Sequence, residues 1–364
     1  MKRKICNLLV IFIILIVIII SIYAGLTQDQ PIEEKSQSTE VIVVETLSTP
    51  VPVYTQTVIE NTMYWDYVLR GQQDTVTVKV YPELYEHLTA LPDVVLCYRI
   101  LGDKSQCNQK ETRDYYLKYL DEPTQKRGLS ELVNQIKTKT TNPEDQVRIA
   151  VSLVQNIPYQ FNNTDNYNLQ YPYETLYLNS GVCSDKSVLL VYLLRELGYA
   201  SAVMSFDKEN HAAVGIMSRS NYSYKDTGYA FIETTVPSII TDSYEVYGLG
   251  IGKLTSTPQI IELSQGVSFN NLSEEYDDAK RYAKIYNEGK NLSPLEYRDW
   301  EIQVWKYGLT RINGSGINED PRNKPLCENG NEYCNDACYK SCEGQAKWSC
   351  TTGGGVCVQK SNGD

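Results

Sequence analysis

The chain has 364 residues, 22% of them charged, with a formal net charge of −11 at pH 7. That length holds one sizeable domain and an accessory module. The acidic balance argues against nucleic acid as a partner. Ten cysteines but only two histidines make the position of each sulfur and each imidazole informative.

Met1 to Tyr23 opens with Met-Lys-Arg-Lys and continues as an apolar run from Leu8 to Ile22, broken only by Ser21. With Ala24 and Leu26, the stretch 8–26 predicts a tilted membrane-spanning helix and is long for a signal-peptide core. Lys2, Arg3 and Lys4, within residues 1–7, stay on the cytoplasmic side by the positive-inside tendency. The expectation is a single-pass signal anchor with the bulk of the chain outside the cytoplasm. A signal peptide cleaved after Ala24 is the alternative. Residues 27–61 turn polar, then rich in Thr, Val and Pro, and predict an extended linker.

The body is predicted over 62–310. Thr75 to Tyr81 alternates and predicts a strand. Pro82 then opens a short charged helix carrying His87, taken as a surface residue. Cys97 and Cys107 have the spacing of a local disulfide in an exported chain. A helix is predicted over Leu129 to Lys139. The next has Asn142 as cap and Pro143 in first position, with Val147, Ala150, Val151 and Val154 on one face. Pro158 to Tyr177 is dense in Tyr, Asn and Gln and predicts an ordered loop. Its aromatic side chains suit a substrate rim, with Tyr173 or Tyr177 as oxyanion-site candidates.

Tyr171 to Thr235 carries the chemistry. Ser180 and Gly181 make a turn, Cys183 follows, and Asp185 lies in the first turn of the next helix as cap or support. From Val188 to Leu197 almost every residue is apolar, which predicts a buried helix, and Gly198 ends it. Cys183 therefore sits at or beside a helix N-terminus, where backbone N–H groups and the dipole favour a thiolate and an oxyanion. Strands are predicted at Ala200 to Phe206, His211 to Met217 and Tyr229 to Thr234, an α+β pattern with antiparallel neighbours. Cys183, His211 and Glu233, in that order, form the minimum set for a thiol nucleophile with an oriented base.

After the core, helices are predicted at Ser273 to Glu288 and behind a capping box of Ser293, Pro294 and Glu296. Both are read as braces. Residues 311–325 read as a linker. Within 326–358, Cys327, Cys334, Cys338, Cys342, Cys350 and Cys357 crowd a segment too short for a hydrophobic core. Three disulfides of open connectivity are the expected staple. Zinc is the rival, but the spacings lack paired CxxC and no histidine is near. With eight cysteines paired and Cys6 at the membrane, Cys183 is left as a free exported thiol. Asn162, Asn221, Asn271 and Asn313 lie in glycosylation sequons, as does Asn291, where Pro294 stands just beyond the serine.

The core resembles the transglutaminase-like superfamily of papain-like thiol enzymes. The matching residues are Gly181 to Asp185 (GVCSD), Arg195 to Gly198 (RELG), His211 to Val214 (HAAV) and Glu233 to Thr235 (ETT). The helix over Pro143 to Ile157 corresponds to the one usual before this core. The resemblance spans about residues 140–240. It implies Cys183 as nucleophile, His211 as base and Glu233 as orienting acid. The chain departs from the family in having Glu for the usual Asp, and Ala213 where an aromatic residue is common. What the resemblance implies is a papain-like α+β core acting on peptide or protein amide bonds through a thioester, without a cofactor. Peptidase or amidase action is favoured over cross-linking transfer. The alternative from a different class is a catalytically silent surface binding or assembly protein on the same fold.

Overall fold

In the computed structural model the described residues are 61–92, 109–160, 168–243, 253–288 and 294–309, with the strand backbones 332–334, 337–339, 346–351 and 354–359. The expected anchor at 8–26 and linker to residue 60 lie outside them, as do Cys97, Cys107, Asn162, Asn291, Asn313 and residues 311–325. So do the side chains of the six tail cysteines. Among the described residues no helix is long and apolar enough to cross a membrane.

Strands β1 (Asn61–Leu69) and β2 (Gln72–Val80) form an antiparallel hairpin. Its two-residue turn puts Arg70 at φ 51° and Gly71 at φ 79°, the left-handed pair that matches strand twist. Trp65, Tyr67, Val76, Val78 and Val80 point into the core while Tyr64 stays exposed. The sequence predicts only the second of these strands, because aromatic and polar residues share the first without an aliphatic alternation.

Five helices lead to the site: α1 (Pro82–Thr89), α2 (Gln109–Leu120), α3 (Lys126–Lys139), α4 (Pro143–Asn156) and α5 (Pro172–Leu178). In α4 the Asn142 carboxamide oxygen accepts from the Glu144 N–H at 2.9 Å, and Val147, Ala150, Val151 and Val154 are buried as their spacing predicts. Neither α2 nor α5 is predicted. The first is mostly polar by composition. The second occupies the end of the expected Pro158 to Tyr177 loop, and its tyrosines turn inward only because other helices supply a surface.

The next helix, α6 (Cys183–Glu196), is buried along its whole middle, Val188 to Leu194. Gly198 ends it at φ 88°, a conformation that costs glycine nothing. Strands β3 (Ser201–Phe206), β4 (His211–Met217), β5 (Tyr229–Ile232) and β6 (Gln259–Ser264) make one antiparallel sheet in the order β5-β4-β3-β6. The class is α+β. One face, including Val203, Val214, Ile216, Ile232 and Ile261, joins α6 in the main core. The other gathers Met204, Phe206, Ala213 and Phe231 with Tyr224 and Leu254.

Helices α7 (Ser273–Glu288) and α8 (Pro294–Tyr307) follow. The Gly71 N–H donates to the Lys306 carbonyl at 2.9 Å, and Lys306 Nζ donates to Asp278 at 2.6 Å. This pair does brace the body, against the β1–β2 turn. In the tail, β7 (Glu332–Cys334) pairs with β8 (Ala337–Tyr339), and β9 (Ala346–Thr351) with β10 (Gly354–Gln359), each antiparallel.

Candidate active site

Cys183 is the first residue of α6. Two devices hold it there. Asp185 is fully buried and accepts from the Val182 N–H and the Gln170 N–H, both at 2.9 Å. One carboxylate thus caps the helix start and ties down the chain entering α5. The second device is a parallel bridge between Tyr159 and Gly181. The Gln160 N–H donates to the Gly181 carbonyl at 3.1 Å, and the Gly181 N–H to the Pro158 carbonyl at 3.4 Å. A Cβ on Gly181 would lie 3.0 Å from that of Asp185, so a side chain there would press on the cap. Asn179, at φ 46°, closes α5 and accepts from the Trp65 indole at 2.9 Å.

His211 opens β4 directly after the turn from β3, and is 4% exposed. Its Nε2 lies 2.9 Å from Glu233 Oε2. The other ring nitrogen, Nδ1, is buried and makes no hydrogen bond of ordinary geometry. The Cys183 side chain also acts on the ring. Burial alone would lower the imidazole pKa; the Cys183 and Glu233 side chains outweigh it and raise it to about 10. The ring therefore keeps its proton through neutrality.

Glu233 lies just past β5 and is 2% exposed. Oε2 faces His211, and Oε1 accepts from the Thr234 N–H at 2.9 Å, the Thr235 N–H at 2.8 Å and the Thr235 hydroxyl at 2.6 Å. Burial pushes its pKa up, but the His211 cation and the Thr235 donors prevail and hold it below the ordinary carboxylate range. A carboxylate bound this way stays ionised and does not rotate. The extra methylene of Glu relative to Asp is accommodated, since the side chain reaches the imidazole while folding back on its own backbone.

The structure thus brings Cys183, His211, Glu233 and Asp185 together. It does not bring Tyr173 or Tyr177 to the thiol. The Tyr173 hydroxyl accepts from the Tyr81 N–H at 2.6 Å, and Tyr177 stacks on Tyr85 with centroids 4.5 Å apart. The expectation placing either in an oxyanion site is corrected: α5 turns both rings towards α1. The phenol at the thiol is Tyr159, which hydrogen-bonds both the backbone N–H and the side chain of Cys183. Burial and the Cys183 charge push its pKa up to about 12, so it is a proton donor at neutrality. Its place in the Pro158 to Tyr177 stretch was legible, but nothing local distinguishes it from the neighbouring tyrosines. Ala213 is fully buried in the cluster with Phe206, Met204 and Tyr224, and Phe206 flanks the imidazole at 6.3 Å between centroids. His87 sits half-buried on α1. Asn221 and Asn271 are exposed, and the Asn271 amide donates to Glu144 at 2.9 Å. Among the described residues there is no cluster of three or more metal-ligating side chains.

Residues 130–236 match the family model described as the transglutaminase-like superfamily. No curated protein is significantly similar in sequence. Among solved structures, a "putative cysteine protease" from Cytophaga hutchinsonii shares 18% identity over 34% of this chain, at a TM-score of 0.22. The match spans 43% of that protein, less than half its length. The chain therefore carries a transglutaminase-like superfamily domain, and residues 130–236 are that domain.

Proposed function

We propose that the chain is a cell-surface thiol enzyme that opens peptide or protein amide bonds by a Cys183–His211–Glu233 triad. The observation that carries this reading is the His211 imidazole. It is buried, held at 2.9 Å by a carboxylate whose two oxygens are both engaged, and acted on by a thiol at a helix N-terminus that helps raise its pKa. The reacting form is the ion pair of a Cys183 thiolate and the His211 imidazolium. The sulfur attacks the amide carbonyl carbon, and a C–S bond forms. The oxygen takes the negative charge and accepts from the Cys183 N–H and the Tyr159 O–H, which contact one another in the free site. Collapse breaks the C–N bond, and the imidazolium gives its proton to the departing amine. Water then loses a proton to His211 and attacks the thioester, which releases the acid and restores the ion pair. An amine in place of water gives transfer. Hydrolysis is our reading, because water needs no acceptor site.

The same proposal puts the domain outside the cytoplasm. It hangs on the apolar run at 8–26, with tail disulfides and glycan at the accessible sequons as the exported state implies. The test is mass spectrometry of the Cys183 peptide after exposure to peptide amides and activated esters. An acyl adduct on Cys183 that turns over is expected, and Cys183→Ser should abolish it. No adduct from any donor in the wild-type chain would sink the enzyme reading in favour of a binding role.

A further inference from the structure

We propose that Lys186 is a positioning residue that holds the two arms of the active site in register with the nucleophile helix; this rests on the triad reading above. Lys186 lies one turn into α6, three residues after Cys183, and none of its surface is exposed. Its ammonium donates to three backbone carbonyls: Ile157 at 2.6 Å, and Gln155 and Thr235 at 3.3 Å each. An ammonium has three N–H groups to give, and these three acceptors match them.

The acceptors belong to the two segments that complete the site. Gln155 and Ile157 are the last turn and the C-cap of α4, where carbonyls lack helical partners and the dipole is negative. The chain continues from there through Pro158 to Tyr159, the phenol at the thiol. Thr235 ends the segment whose N–H and hydroxyl groups grip Glu233. One side chain on the nucleophile helix therefore touches both the Tyr159 arm and the Glu233 arm. A second link closes the set: the Gln155 carboxamide donates to the Glu233 carbonyl at 2.9 Å and to the Ser238 carbonyl at 3.0 Å. Lys186, Gln155 and the Glu233 segment form one ring of hydrogen bonds around the buried end of the triad.

An apolar residue at 186 would fill the space without a desolvation cost, but would leave these carbonyls short of donors. A role in packing alone does not call for a cation. A role in fixing two independent backbone segments to about half an ångström does, since the imidazole and the phenol must both meet one sulfur.

The test compares the full-length wild-type chain with Lys186→Met, close in volume and without donors. Iodoacetamide is the probe, and the Cys183 peptide is quantified by mass spectrometry across pH on the folded fraction. Only two histidines are present, so the His211 titration can be followed by NMR alongside. Expected is alkylation that is fast below neutrality in the wild type. In Lys186→Met it should be slower by about tenfold at pH 6, with the His211 midpoint moved down towards that of an ordinary histidine. A purely structural lysine would lower thermal stability and leave both profiles of the folded fraction unchanged; that outcome overturns the proposal. If the wild type itself shows no fast alkylation below neutrality, the triad reading fails instead.

Should Lys186→Met not fold, hydrogen exchange on the unaltered chain decides. The Gln160 and Gly181 amides on one arm, and the Thr234 and Thr235 amides on the other, are expected to open as one unit with equal protection. Independent opening of the two arms overturns the proposal.

Discussion

At the scale of single residues, the site depends on which state the His211 proton occupies. Its pKa is raised to about 10 in the folded chain, above the unfolded histidine value of about 6.5. The stabilisation it brings is therefore fully present below about pH 6.5 and is lost as pH rises through 10. Glu233 runs the other way. Its folded pKa is depressed, so its contribution is present above the ordinary carboxylate value and fades as pH falls. Cys183 alkylation by iodoacetamide should thus remain fast at pH 6 and fall by about tenfold or more there in His211→Ala. Glu233→Gln should move the His211 titration down, because a neutral amide no longer favours the imidazolium. NMR of the two histidines separates that movement from any change at His87. Tyr159→Phe removes a donor that acts on the oxyanion but leaves the ring in place. Acylation of Cys183 by an activated ester should slow by about tenfold to a hundredfold, with little change in melting temperature. An unchanged acylation rate would take Tyr159 out of the mechanism.

At the scale of elements, the geometry is set by turns rather than by helix or strand propensity. Gly71 shows it away from the site. Its φ of 79° is left-handed, and a Cβ there would lie 2.2 Å from the Trp305 ring. Gly71→Ala should therefore destabilise the body by about 1–3 kcal/mol, read as a lower urea midpoint with an unaltered slope. Asp185 shows it at the site. Replacing it with Ala leaves the Val182 and Gln170 N–H groups without their buried acceptor, which costs about 1–3 kcal/mol. It also frees the helix start on which Cys183 sits. Cys183 acylation should decline in Asp185→Ala even at temperatures where the chain is fully folded, as circular dichroism can verify. The helices were legible wherever a cap and an aliphatic face coincide, as in α4 and α6. They were not legible in α2 and α5, where Tyr119 and Tyr173 are buried without a periodic aliphatic face. A tyrosine reads as polar or apolar according to what the rest of the fold places against it.

At the scale of the whole molecule, ten cysteines and an exported body lead to a countable expectation. If the tail six and the Cys97–Cys107 pair are oxidised, thiol titration of the unreduced chain in denaturant should find two free thiols, Cys6 and Cys183. A count near ten would contradict the exported reading without touching the triad. The four-stranded sheet illustrates what assembly adds. Strand β6 comes from an apolar stretch far along the chain and pairs with β3, a pairing that no local pattern announces.

From the sequence alone came the order and spacing of Cys183, His211 and Glu233, the start of α6, the cap of α4 and the three strands that follow. Each depends on periodicity, a glycine stop or a capping side chain, and these act within a few residues along the chain. Tertiary structure alone decided that Tyr159 and not Tyr173 or Tyr177 meets the thiol, that Glu233 spans the extra methylene by folding onto Thr235, and that Lys186 ties the arms together. The Tyr159 and Lys186 contacts join residues 24 to 49 positions apart, and Glu233, held locally by Thr235, meets His211 across 22 positions. Hydrogen bonds between such distant segments follow from how helices and sheet pack, which is a property of the closed core and not of any stretch within it.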